Sequence, residues 1–199
     1  MKHIERILRD CDALLEGHFI LTSGRHAKFY MQCARILQNP ELTEEIVKYH
    51  ICHEGRFDLD NIHMVVAPAV GGIVLGYELA RQLNVKSIFC ERENGKMTLR
   101  RGFEIPKGTR VLVAEDVVTT GGSVREVMDV VHAAGGEVVA VALLVDRSGG
   151  TVDFGVKTIA AYQTFIESYE PDNCPLCKAG DLPAVKPGSR GTIIGEAHG

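Results

Sequence analysis

Tryptophan is absent from this chain of 199 residues, and its longest apolar run, Val138 to Val145, falls far short of a membrane span. Basic excess is missing too: the net charge is -4, which argues against a nucleic-acid partner. The start, Met1-Lys-His-Ile-Glu-Arg6, has charges but no apolar signal core, so a cytoplasmic protein is expected. No Lys follows Gly121-Gly122, which excludes a P-loop. A dinucleotide fingerprint is excluded as well, because the acids here precede the glycines. No internal repeat or low-complexity segment appears.

The six cysteines do not form a disulfide framework. Cys11, Cys33, Cys52 and Cys90 stand singly, and only Cys174 and Cys177 make a Cys-x-x-Cys pair. A structural zinc site needs two more ligands, and none stands nearby. His198 lies in a Gly-rich tail, while His50, His53 or a second subunit would have to be brought in by folding. A reduced structural pair is the first reading, with a disulfide or a metal as alternatives. The length suits one α/β domain over residues 1–199, burying about 70% of its unfolded surface without staples.

Continuous apolar strands alternate with helices. The spacing predicts strands at Ile62 to Ala67, Ser87 to Cys90, Val111 to Ala114, Val138 to Val145 and Lys157 to Ala161. Helices are expected over Gly72 to Leu83 and Gly122 to Ala134. Such a rhythm means a parallel sheet covered by helices on both faces, with ligands at the strands' carboxyl ends. Ahead of it, helices are expected over Ile4 to Leu15, capped by Gly17, and from Pro40 to about His53. Phe19 to Gln38 reads as short strands and turns.

The run Val111-Leu-Val-Ala-Glu115-Asp116-Val-Val-Thr119-Thr120-Gly121-Gly122-Ser123 carries the chemistry. A buried strand ends in two acids, then a Gly-rich loop opens a helix. Amides of Val117 to Ser123 and the helix dipole favour an anion such as a sugar phosphate. Glu115 and Asp116 would repel that phosphate, so they suit ribose hydroxyls or a Mg²⁺ bridging ribose and pyrophosphate.

Three other segments fall at the same sheet edge. Gly71 and Gly72 let the backbone approach a second phosphate. The stretch from Glu91 to Phe103 carries Arg92, Lys96, Arg100 and Arg101 and is long enough for a lid over an anionic leaving group. Arg147, after the Val138 strand, would meet a carboxylate-bearing base.

The thirteen-residue motif resembles the 5-phosphoribosyl-1-pyrophosphate (PRPP) motif of type I phosphoribosyltransferases. Leu21-Thr-Ser-Gly-Arg25, Glu91-Arg-Glu, Lys96-Met-Thr-Leu-Arg-Arg-Gly-Phe103 and Val145-Asp-Arg147 narrow the resemblance to the orotate branch, over nearly the full length. The segment Cys174-Pro-Leu-Cys-Lys-Ala-Gly180 followed by Pro187-Gly-Ser-Arg190 resembles one branch of that orotate family. The resemblance implies a core over about 60–165 and a hood from about 17–38 and 165–190. It also implies transfer of phosphoribosyl from PRPP to orotate in de novo pyrimidine synthesis, a Mg²⁺ requirement met through PRPP with Asp116 as candidate ligand, and a homodimer with shared active sites. Thr119, Arg147 and Ser23 would contact orotate. Arg92, Lys96, Arg100 and Arg101 would reach pyrophosphate, and Lys96 joins Glu115 and Asp116 as a catalytic candidate.

The chain departs from many relatives at Thr22 and Val70-Gly71-Gly72, where lysines are common, and at Glu93 and Thr98. The rival readings are a purine or uracil phosphoribosyltransferase and a PRPP-sensing regulator. The first would present an aromatic and a Lys to the base, and the second a basic nucleic-acid surface.

Overall fold

Every residue of the apolar run Met64–Pro68 is buried, because that strand lies in the middle of a sheet covered on both faces. The computed structural model describes residues 2–21, 23–52 and 61–187. The central sheet comprises β3 (Met64–Pro68), β4 (Lys86–Glu93), β5 (Lys96–Leu99), β6 (Arg110–Val118), β7 (Glu137–Asp146) and β8 (Lys157–Gln163). Their order is β5-β4-β3-β6-β7-β8, parallel throughout except for the edge strand β5.

Helix α4 (Gly72–Leu83) follows β3 and helix α5 (Gly122–Ala133) follows β6. The chain leaves β3 outward through α4 to β4 and β5, then returns to β6 on the other side of β3. From there it moves outward through β7 and β8. The direction of winding therefore reverses between β3 and β6, and a crevice opens beyond their carboxyl ends. Leu75 and Leu79 of α4 pack on one face together with Ile4 and Leu8 of α1 (Lys2–Asp10). Val124, Val127 and Val131 of α5 pack on the other, against Val66, Val113 and Val141. Each such side chain contributes about 1.5–3 kcal/mol by leaving water, which holds the crevice walls in place.

A second, antiparallel sheet joins β1 (Leu14–Ile20), β2 (His26–Met31) and β9 (Ser168–Tyr169) in the order β1-β2-β9. Short helices α2 (Ala34–Leu37), α3 (Pro40–Ile46) and α6 (Pro175–Ala179) complete the chain. None of the described helices is long and apolar enough to cross a membrane.

The structure corrects several boundaries. The first helix stops at Asp10 rather than Leu15, because Asp12 turns left-handed (φ 55°) and the Ala13 amide bonds back to the Leu8 carbonyl (2.8 Å). That is a helix-ending Schellman geometry, with Asp in the place glycine usually takes. Gly17, expected as a cap, instead lies with His18 in a β-bulge of β1 opposite Lys28. The helix starting at Pro40 is capped by the Asn39 side chain, which accepts from the Leu42 amide (3.2 Å). After Ile46 it widens into a π-helical turn, Val47–Cys52, and its expected end at His53 lies outside the described residues. The acids expected at the end of a strand sit inside β6, which runs on to Val118. The charged stretch after Cys90 is largely a hairpin of β4 and β5, closed by Asn94-Gly95 with both residues left-handed (φ 51° and 81°), as a two-residue hairpin turn requires.

Candidate active site at the carboxyl edge of the sheet

The loop Thr119–Gly121 leaves β6 and delivers the chain to α5 with Gly121 at the N-cap position (φ 78°). A β-carbon on Gly121 would meet Phe154 and Val152, each at 2.8 Å, so only glycine fits this turn. Arg125 of α5 donates to the Asp153 carbonyl (2.7 Å) and lies over the Phe154 ring, which fastens that covering segment. The unpaired amides of the first helical turn are thereby aimed into a cleft of about 200 Å³. It is lined by Thr119 to Val124 together with Arg92, Glu115, Val117, Val118 and Glu126.

A larger cavity of about 790 Å³ adjoins it, sharing Val117, Thr119 and Thr120 as lining. Asp116, Arg147 and Ser23 line this second cavity, along with Tyr30, Gln32 and Phe165. The structure therefore gathers most of the expected site residues around one loop: Glu115, Asp116, Val117 to Ser123, Arg92, Ser23 and Arg147.

The two acids differ sharply in their surroundings. Glu115 is buried, and its carboxylate accepts the Asp116 amide (3.1 Å). Burial, then the hydrogen bond and charge of Asp116, pushes its carboxyl well above the usual range. Asp116 is half-buried and accepts the Val117 amide (2.9 Å). Across the crevice it lies against Gly71, where a β-carbon would stand 2.6 Å from both of its oxygens. The glycine loop after β3 and the acid pair of β6 thus form opposite walls of the crevice, and the Ala69-Val70 peptide within that loop is cis.

Arg147 carries no counter-ion among the described residues. Its sequence neighbour Asp146 turns away, accepting from the Ser148 amide (2.8 Å), the Ser148 hydroxyl (2.6 Å) and the Gly150 amide (2.9 Å). The Arg147 Nε is buried and has no hydrogen-bond partner. Burial depresses the guanidinium from its ordinary value, which marks a cation lacking a compensating charge. An anionic group entering the larger cavity would supply it.

The hairpin cations behave differently. Arg92 lines the phosphate cleft and pairs with Glu126 of α5 (2.6 Å). Arg101 makes a two-pronged pair with Glu91 (2.8 Å and 2.8 Å), and Arg100 pairs with Glu93 (3.5 Å). Lys96 lies along a shallow depression with Glu126 and Asp129. None of Lys96, Arg100 and Arg101 lines either cavity of its own chain.

Sequence reasoning missed the far wall of the larger cavity. Cys33 reaches the Asp116 carbonyl through its thiol (3.6 Å), and burial pushes that thiol far up. Tyr30, Gln32 and Phe165 carry no motif that could have announced them. Thr22 and Arg190 lie outside the described residues.

The donor set suits a Mg²⁺ that arrives with a polyphosphate. Asp116 offers one accessible carboxylate with Glu115 behind it, and among the described residues no oxygen cage is built around them, so most ligands would come from substrate and water.

A phosphoribosyl transferase domain matches residues 32–172. The chain belongs to the phosphoribosyltransferase family. It is 55% identical to the orotate phosphoribosyltransferase of Desulforamulus reducens, over 89% of this chain and 91% of that one. Among solved structures it resembles the orotate phosphoribosyltransferase of Aeropyrum pernix, with a TM-score of 0.65 and 26% identity over 80% of this chain and 93% of the other. An adenine phosphoribosyltransferase from Rhodothermus marinus is also similar, with a TM-score of 0.62 and 21% identity over 82% of this chain and 99% of that one, a likeness of fold alone. Identity, rather than fold, places the chain among the orotate phosphoribosyltransferases.

Proposed function

We infer that this chain is an orotate phosphoribosyltransferase, joining orotate N1 to C1 of the PRPP ribose with loss of pyrophosphate. The product is orotidine 5′-monophosphate. The observation that carries this reading is Arg147: a buried, uncompensated cation beside a cavity that adjoins the phosphate cleft at Thr119 and Thr120. The carboxylate of orotate is the charge it lacks, and a purine or uracil has none to offer.

Breaking the C1–O bond leaves positive charge on the ribose. The site needs no strong base, because orotate N1 reacts as an anion. Its task is positioning and electrostatic stabilisation. The amides from Thr119 to Ser123 would hold the 5′-phosphate, with Arg92 at the cleft's edge. Asp116 and Glu115 would face the ribose hydroxyls and the developing ring cation. That cation favours ionised Glu115, so the acid that is costly to ionise in the free protein gains its counter-charge at the moment of reaction. Thr119 and Ser23 line the same cavity as Arg147 and would orient the base. The backbone at Gly71 and Gly72 leaves room for pyrophosphate beside Asp116. Mg²⁺ held by Asp116 and PRPP would neutralise the leaving pyrophosphate.

The hairpin cations support a homodimer. Lys96, Arg100 and Arg101 stand away from their own cavities, on and just after the edge strand β5, where a second copy would meet them. There they would close over pyrophosphate and exclude water from the ring cation.

The test is loss of orotate absorbance on mixing protein, PRPP and Mg²⁺, with adenine, hypoxanthine, guanine and uracil in parallel. Turnover of orotate alone is expected. Turnover of another base would keep the PRPP site and overturn the orotate assignment.

A further inference from the structure

Four side chains that take no part in the transfer converge in the second sheet. The bulge at Gly17-His18 turns two successive residues of β1, His18 and Phe19, into the interior. His26 opens β2 and pairs with Tyr169 of β9. Cys174 stands at the N-cap position of α6, and Cys177 lies within that helix. The cluster thus draws on both ends of the chain.

Its atoms are spaced like a metal's ligands. His18 Nε2 lies 2.8 Å from His26 Nδ1, 3.7 Å from the Cys174 sulfur and 3.6 Å from the Cys177 sulfur. The Cys177 sulfur lies 3.2 Å from His26 Nδ1, and all four donor atoms fall within 4.8 Å of one another. Zinc bonded at about 2.0–2.1 Å to nitrogen and about 2.3 Å to sulfur sets tetrahedral edges of roughly 3.3–3.8 Å. Small side-chain adjustments bring the cluster to that figure. The other nitrogen of His18, Nδ1, lies 3.1 Å from the Leu182 carbonyl. A carbonyl only accepts, so Nδ1 carries the proton and Nε2 turns its lone pair toward the cluster.

We propose that His18, His26, Cys174 and Cys177 form a structural zinc site. Four protein donors fill a tetrahedron and leave no position for a substrate, so the ion would hold structure rather than do chemistry. Thiolate and imidazole donors also separate this site from the Mg²⁺ carried by PRPP, which takes oxygen. There is work for such an ion: β9 pairs with β2 through only two residues, and α6 has five. Elements this short are not stable by themselves. The expected ligands His53 and His198 lie outside the described residues, while His50 stands beside His3 instead.

The test uses full-length protein without a histidine tag, purified with no chelator present. Elemental analysis is expected to find about one zinc per chain, and Cys177→Ser or His26→Ala to lower it roughly tenfold. Cobalt exchanged into the wild-type protein should give the visible bands of a tetrahedral ion and a thiolate charge-transfer band. Removing the metal with a strong chelator should lower Tm, and zinc alone should restore it. Zinc retained unchanged in both variants would place the ion elsewhere and overturn the assignment. So would reduced protein that takes up neither zinc nor cobalt, or a native Cys174–Cys177 disulfide seen by intact mass. Where a variant fails to fold, the wild-type cobalt spectrum decides: no thiolate band, no site.

Discussion

Gly71 and Asp116 face each other across the crevice so closely that a single methyl group on Gly71 would overlap both carboxylate oxygens. The backbone at Gly71 (φ -59°) accepts alanine without strain, so Gly71→Ala should fold. It should displace Asp116, lowering kcat at least about tenfold as a misplaced catalytic group does. Tm should stay within a few degrees of the parent in a thermal melt. Unchanged kcat would show that Asp116 works from another position.

Asp116→Asn keeps the shape and removes the charge. It is expected to lower kcat on the order of 10²–10³-fold, the scale seen when one electrostatic contact to a transition state is lost. The KM for PRPP should change far less. Equal effects on both would mean that Asp116 binds substrate rather than stabilising the ring cation.

Arg147→Ala should raise the KM for orotate by roughly 10–100-fold, matching about 1.5–3 kcal/mol for a charge-assisted hydrogen bond. PRPP affinity, measured by calorimetry, should hold. Folding stability should scarcely fall, because the substitution removes a buried donor that lacks a partner. A parallel loss of PRPP affinity would move Arg147 to the phosphate side of the site.

Glu115→Gln separates stability from activity. A carboxyl whose pKa is raised on folding holds its proton in the native state while the unfolded chain has already released it. Wild-type stability therefore falls as pH rises above the usual carboxylate range. The glutamine variant lacks that loss, so its Tm advantage should grow with pH from near 4.5 upward and level off once native Glu115 ionises. Thermal melts from pH 4 to 9 without ligand would show it, and a constant difference would refute the shift. Activity should fall in the same variant.

Asp116→Asn and Lys96→Ala are each expected to be nearly inactive alone. If Lys96 serves the neighbouring site, unfolding and refolding the two together should restore about a quarter of wild-type activity, from mixed dimers with one intact site. No recovery would place Lys96 in its own chain's site.

The sequence made the central sheet legible because β3, β6 and β7 are buried on both faces and therefore carry unbroken apolar runs, Met64 to Pro68, Val111 to Ala114 and Val138 to Val145. The acid pair and glycine loop were legible for a similar reason: an anion at a helix start needs those residue types in that order. The first fifty residues were harder. Leu14 and Leu15 extend the helical stripe of Ile7 and Leu8, yet the Asp12 turn ends the helix before them. The bulge then breaks the alternation that would have marked β1. Tyr30 reaches the base cavity through pairing across the second sheet and Cys33 through the turn that follows β2 into α2, which no local pattern reports. His18 and His26 were hidden in the same way, more than 140 residues from the cysteines they meet.

That second sheet also sets an order of events on the ribosome. β1 and β2 emerge before the central sheet, but β9 emerges after it. The phosphate loop can fold once β7 and the segment to Phe154 are free, before Phe165, Ile166 and Ser168 arrive to wall the larger cavity. A nascent chain that has released Phe154 but not yet Phe165 would hold a nearly finished phosphate site and an incomplete base pocket, with β2 paired to β1 and still waiting for β9.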